Sequence, residues 1–307
     1  MRRLDMKQKG IFYTILSAVS FGIMPLLCSQ AYDLGANAET LVFLRNVFAI
    51  MILFVLMKLK HISFAISRKD FKNTALVGIF GITLTALLLY NAYSYISLGT
   101  ATTLHFLYPA FVALINYVFY KEHLAKSTVL VLLAATLGIF FFFEPGNGNS
   151  SIGILLAIAS SISYAFYMTG VERRRLNQLN SYKLTFYLAL IACFVMFFYN
   201  LVLNKMVWQL PLAAYGYAFL IGFGCSFFAV FTLQLGIKYL GASTAAIFCM
   251  FEPVTAVLAE WVLFGETLSV SKIMGCLLIL GAVSVLILLD KKQSSASREE
   301  LIEQFAD

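Results

Sequence analysis

Arg45, His105, Glu252 and Glu260 stand well inside otherwise apolar runs. A charge in the hydrocarbon core of a bilayer is costly, so residues of this kind find partners or mark a functional site. Glu252 sits near the centre of the run 243–264. Its carboxyl must therefore be protonated, paired or in contact with water. Two chemistries fit it, carrying a proton or anchoring a substrate amine, and a neutral carboxyl that only joins helices fits equally well. At the rise of a helix, Arg45 and Glu260 lie about 6 Å and about 10 Å from the midplane on the same side, a depth at which they could pair. A lone histidine more often packs than titrates, yet His105 stays a candidate. No His, Cys and carboxylate cluster has metal-ligand spacing, and the five cysteines read as small packing residues. Neither a metal nor a cofactor is expected.

The candidates belong to a phrase written twice. Residues 105–122 read "HFLYPAFVALINYVFYKE" and residues 249–266 read "CMFEPVTAVLAEWVLFGE". Pro109 and Glu122 recur as Pro253 and Glu266, and Tyr108 takes the place of Glu252. Each proline removes a helix hydrogen bond, to the carbonyls of His105 and Cys249, giving either a static kink or a flexing point in a gating helix. Glu122 and Glu266 stand just before the next helix, where an acid suits the positive end of the dipole, a structural role.

What must position these residues is a set of membrane-spanning helices. The chain is 61% hydrophobic and only 12% charged, with a mean hydropathy of +0.87. A soluble domain carries about 25% charged residues. Ten apolar runs approach the roughly 20 residues a span needs: 11–31, 40–57, 74–95, 100–120, 127–143, 151–171, 182–203, 213–237, 243–264 and 269–289. Their continuity excludes barrel strands, which alternate. The first run has a basic start but exceeds the usual 7–15 apolar residues of a cleaved signal peptide, and reads as a retained helix. The net charge of +7 does not indicate nucleic acid. With the N-terminus inside, 19 of the 22 Lys and Arg fall on the inner side, Lys205 and Lys272 fall outside, and Arg45 lies within a span. That is the positive-inside pattern, and it accounts for "ERRR" at 172–175 without a ligand. Both ends are placed in the cytoplasm, with the acidic tail as a solvated end.

The echo spans the chain. Gly10, Thr14, Ala18 and Gly22 are matched by Gly153, Ala157, Ser161 and Ala165, and "SLGTAT" (97–102) by "YLGAST" (239–244). Small residues at this spacing let another backbone approach closely. Each half is five helices; five is odd, so the second copy crosses in the opposite sense, the inverted repeat of many secondary transporters. The fold class is all-α, with ten transmembrane helices in two inverted repeats (1–148 and 149–290) and a cytoplasmic tail (291–307).

On the two quoted phrases, "LHFLYPAFVALINYVFYKE" and "FEPVTAVLAEWVLFGE", the chain resembles the EamA-type branch of the drug/metabolite transporter superfamily. The resemblance covers the chain to about residue 290 and implies export or uptake of amino acids, metabolites or drugs without ATP hydrolysis. Independently, no G-x-x-x-x-G-K-[ST] phosphate loop occurs. The expectation is a secondary transporter of the cytoplasmic membrane, working by alternating access and exporting amino acids or other small metabolites, with protons as a possible coupling ion. A drug exporter is the variant within the class. The rival from another class is a membrane-embedded enzyme acting on lipid, but it needs a catalytic cluster that is absent from the sequence.

Polar residues are unevenly shared among the runs. They place helices 1, 3, 4, 6, 8 and 9 around the path and helices 5, 7 and 10 toward lipid, with helix 2 undecided because of Arg45. The substrate or proton site is assigned to Glu252, His105, Tyr108, Ser20, Thr85, Asn91, Tyr164 and Ser226, and gating to Pro109 and Pro253. A serine or threonine here often just bonds to a carbonyl of its own turn. The topology is tested with cysteines placed at Gly148 and Asn177 of a cysteine-free variant. An impermeant thiol reagent added to intact cells should label the first alone; labelling of the second alone would reverse the orientation.

Overall fold

In the computed structural model, residues 2–122, 124–141, 150–264 and 269–304 are described, and they contain helices and no strands. Ten apolar helices follow in order: α1 Met6–Asp33, α2 Ala38–Leu59, α3 Arg68–Ala92, α4 Leu98–Tyr120, α5 Lys126–Phe140, α6 Ser151–Arg173, α7 Ser181–Leu203, α8 Leu212–Leu240, α9 Ala242–Leu263 and α10 Val270–Leu288. Nine are long and apolar enough to cross a membrane; α5, at 15 residues, is shorter. The helix that contains α10 continues to Gln304. Glu266 and residues 142–149, including most of the loop expected outside, lie beyond the described residues.

Side-chain caps set several helix starts. Asn37, Ser67, Ser97 and Asn180 each accept from a backbone N–H of the first turn of α2, α3, α4 and α7, groups that would otherwise lack a partner. Helix α4 breaks at Phe106 and Leu107, immediately before Tyr108 and Pro109, and α9 breaks at Cys249 and Met250 before Pro253. At these breaks tighter bonds replace the lost ones: Ala110 N donates to Leu107 O (3.0 Å) and Glu252 N to Cys249 O (2.8 Å). A third break, at Ile23 in α1, precedes Pro25.

Two features escape the apolar pattern. Helices α3 and α8 each contain a π-helical stretch, Gly78–Thr83 and Gly222–Ala229, starting at equivalent residues of the two halves. Such wide turns insert an extra residue into the helix and often sit at functional sites. A Cβ on Gly222 would lie 2.7 Å from the carbonyl oxygen of Arg45, so the absence of a side chain there lets α8 press against α2.

The packing is the same when the halves are exchanged. Helix α1 lies on α8 as α6 lies on α3; α9 lies on α1 as α4 lies on α6; α2 packs with α7 and α5 with α10. The small-residue stripes make these crossings. A Cβ on Gly10 would meet Leu240 at 2.7 Å, one on Gly153 would meet Ile96 at 2.7 Å, and one on Gly22 would meet Glu252 O at 2.6 Å. The most apolar-exposed helices are α10 and α7, with 28% and 39% of their apolar windows buried, against 61% for α8. Helix α8 is therefore the most enclosed.

The Gly22 crossing sets the separation of α1 and α9 beside Glu252. Gly22→Leu should overpack it and cost about 1–3 kcal/mol, read as a lower melting temperature of the detergent-purified protein. Gly216→Leu, where a Cβ would meet nothing within 4 Å, should leave it unchanged; equal melting temperatures for the two variants would refute the close crossing.

Candidate functional site

Halfway along the bundle, the equivalent residues of the two repeated phrases meet. Tyr108 Oη donates to Glu252 Oε1 at 3.0 Å. Each stands in the first turn after the break in its helix, α4 or α9, so the breaks aim both side chains at the seam between halves. Glu252 faces a cavity of ≈ 40 Å³ walled by α1, α2, α3, α4, α6 and α9. That is room for a few water molecules, at roughly 10–15 Å³ of such volume each. His105, Tyr164 and Thr85 face it too. His105 Nδ1 lies 2.9 Å from Ser160 Oγ, and Ser160 donates to Ala157 O, so the ring nitrogen is the donor when that serine bond is kept. The rings of His105, Tyr108 and Tyr164 lie 4.7–5.5 Å apart as a cluster.

Arg45 reaches the same cavity from α2. Its Nη1 donates to Tyr90 Oη at 2.7 Å, and its guanidinium lies 5.3 Å from the centre of that ring. Sequence spacing left pairing of Arg45 with Glu260 open; the structure answers it differently. Glu260 pairs with Lys272 of α10 at 3.3 Å, and Arg45 bonds Tyr90.

Four assigned residues line neither this cavity nor the vestibule beyond it: Tyr108, which reaches Glu252 by its hydrogen bond, and Ser20, Asn91 and Ser226. Ser20 Oγ donates to Leu16 O (3.0 Å) and Asn91 Nδ2 to Leu87 O (2.8 Å), each bonding back along its own helix. Ser226 is buried in the π-helical stretch of α8. Helix α8, expected to wall the path, provides no residue to either space; it stands behind α1 and α2, while α2 takes the place at the cavity. Tyr90, Phe106 and Met24 were missed as lining residues. The signal that would have found this wall is the one base inside a span, Arg45, since such a residue turns toward the bundle interior.

The two ends of the bundle differ. Toward the end opposite the N-terminus, a vestibule of ≈ 340 Å³ lies between α1, α4, α9 and α10 and shares Thr102 and Phe106 with the central cavity. Pro253 is in its wall; Pro109 is not. At the N-terminal end, α4, α6 and α9 are tied together. Asn116 Nδ2 donates to Ser243 Oγ (2.8 Å), Ser243 Oγ donates to Glu122 Oε1 (2.9 Å), and Arg173 Nε donates to Asn116 Oδ1 (3.2 Å). Arg173 also pairs with Glu122, and Glu172 accepts from Ala242 N at 2.8 Å. Glu122 thus serves an inter-helix ion pair rather than the dipole of α5. Under the 144-residue offset, Asn116, Arg173 and Ser243 correspond to Glu260, Ser29 and Gly99. All three of those line the open vestibule. One set of positions is shut at one end and parted at the other.

The sequence pattern of the EamA-like transporter family matches residues 8–143 and again residues 151–288. The chain belongs to the EamA-like transporter family, within the drug/metabolite transporter superfamily. It is a multi-pass membrane transporter, and the family and its relatives are named for transport rather than for an enzymatic reaction. This EamA chain is 24% identical over 193 residues to the pseudopaline exporter CntI of Pseudomonas aeruginosa, covering 62% of the chain and 66% of the exporter. It is 23% identical over 201 residues to an S-adenosylmethionine uptake transporter of Rickettsia prowazekii, covering 65% and 66%. A solved crystal structure superposes with a TM-score of 0.80 at 16% identity, over 93% of this chain and 99% of that one.

The breaks of α4 and α9 generate a test. Pro109→Ala and Pro253→Ala should leave the EamA chain folded and inserted but slow its turnover severalfold, since each restores a backbone donor and stiffens its helix. Unchanged flux in both variants would make the prolines static kinks.

Proposed function

We propose that the protein is a secondary transporter of the cytoplasmic membrane that exports amino acids or similarly small metabolites by alternating access. Its ten helices form two inverted five-helix repeats (residues 1–148 and 149–290), with both termini in the cytoplasm. The observation that carries this reading is the central cavity at the seam of the halves, walled off at the basic end and adjoining a vestibule at the other. Equivalent positions in different states at the two ends are what an inverted repeat produces when one half rocks against the other. Exchanging the states would close Glu260, Ser29 and Gly99 together and part Asn116, Arg173 and Ser243. It would also bring α8, with Ser226, to the wall that α3 now forms with the equivalent residue Ile82. The charge bias places the closed end in the cytoplasm. The resemblance to a named exporter favours export, while the uptake relative shows that the family name alone does not set direction.

Glu252 is the proposed coupling group. It occupies the seam, in a cavity large enough for water, and Tyr108 donates to it across the repeat. A carboxyl that gains and loses a proton as the cavity faces each side in turn would couple the cycle to a proton gradient. Glu252→Gln keeps the size and hydrogen bonding of the side chain but fixes it neutral. In proteoliposomes it should abolish accumulation driven by a pH gradient while substrate exchange, which needs no net proton movement, survives. Normal gradient-driven accumulation by this variant would sink the assignment.

A further inference from the structure

Arg45 is a buried cation, 5% exposed, that no acid among the described residues pairs with. A guanidinium stays protonated in proteins, and removing a charge from water without a counter-ion costs several kcal/mol in effect. The neighbours of Arg45 recover only part of that. Tyr90 Oη and the Met24 sulfur, 3.6 Å away, both engage Nη1, and the Tyr90 face adds a cation–π contact. Nε is buried with no partner. No carboxylate among the described residues forms an ion pair with the group, although Glu252 lines the same cavity. The geometry is directional. A guanidinium has two edges that can grip a planar anion, and Tyr90 takes the nitrogen that leaves the Nε–Nη2 edge untouched. That edge matches the two oxygens of a carboxylate.

From the unpaired Arg45 in the central cavity, we infer that the transported molecule carries a carboxylate, and that this carboxylate docks on the Nε–Nη2 edge of Arg45. Resting on the transporter reading above, this names the part of the substrate that the site recognises. The space sets the rest of the fit. The central cavity has room for a small head group only, and a single cation suits a monoanion better than a phosphate dianion. The wall shared with the larger vestibule, at Thr102 and Phe106, lets the remainder of the molecule extend away from Arg45. Recognition thus falls on the head group, and variation is accommodated in the vestibule. Tyr90 is a positioning residue: its hydroxyl holds Nη1 and leaves the Nε–Nη2 edge without a bond to Tyr90.

The test uses the purified full-length protein, in detergent for thermal protection and in proteoliposomes for flux. The probes are the common L-amino acids, short aliphatic carboxylic acids, and the primary amide of each. For the native protein, the acids that protect should bind at least tenfold more tightly than their amides, because the amide offers one oxygen and no charge. In Arg45→Gln that preference should collapse, by loss of acid binding with amide binding unchanged; Arg45→Lys should restore it in part. The native acid-to-amide ratio needs no variant, so the inference remains testable if Arg45→Gln fails to fold. Equal binding of acids and amides, a retained acid preference in Arg45→Gln, or no binding by any acid would overturn it. Acid-selective binding without flux would support the anchor and refute the transporter reading; flux of amides as fast as acids would do the reverse.

Discussion

Everything in this structure turns on the hydrogen bond from Tyr108 to Glu252, because it joins the same position of two copies of one helical plan. A carboxyl at mid-depth in a bilayer needs a donor, and the protein supplies it from the corresponding residue of the other half. For the two to touch, α4 and α9 must both be broken just before them and must cross near their breaks. Those demands explain the prolines, the two close helix crossings of α1 with α8 and α9, and the absence of a side chain at Gly22. A larger residue there would push α9 away from α1 and carry Glu252 with it.

Much of this was legible in the sequence because a bilayer enforces simple rules. Apolar runs of spanning length had to be helices, and most described helices match those runs closely, although the first and third start earlier, at Arg2 and Arg68, and the last continues to Gln304. The breaks in α4 and α9 could be read from Pro109 and Pro253, since a residue without an N–H must interrupt the ladder. The stripes at Gly10 and Gly153 announced close crossings. Glu252 and Tyr108 were aligned by the repeat, but alignment says only that two residues are equivalent; that they touch is a property of how the halves face each other.

What stayed hidden depends on partners distant in the chain. Arg45 was conspicuous, yet its partner, Tyr90, is one of 16 tyrosines, and no local pattern separates it from those that merely pack. The tie of Asn116, Ser243, Arg173 and Glu122 draws on three helices, and Glu122 alone looked like a helix-dipole residue. The π-helical stretches of α3 and α8 leave no trace in an apolar count, because one extra residue per turn keeps the composition intact. Helix 8 was set at the path on its polar residues, yet one of them, Thr232, bonds to Phe228 O in its own helix. Polarity located the residues; it did not say which way the helix faced.

The tie at the basic end also sets a clock. Its counterpart at the other end has Ser29 where Arg173 stands and Gly99 where Ser243 stands, so it cannot form the same ion pair. The two faces of an otherwise symmetric molecule are therefore unequal in energy. A difference of about 1.4 kcal/mol is enough to leave roughly ten empty molecules waiting on one side for each on the other. If the basic end faces the cytoplasm, as proposed above, the idle protein waits facing outward. A blocker arriving from outside then meets its target at the rate of diffusion, while cargo inside must wait for four side chains to let go.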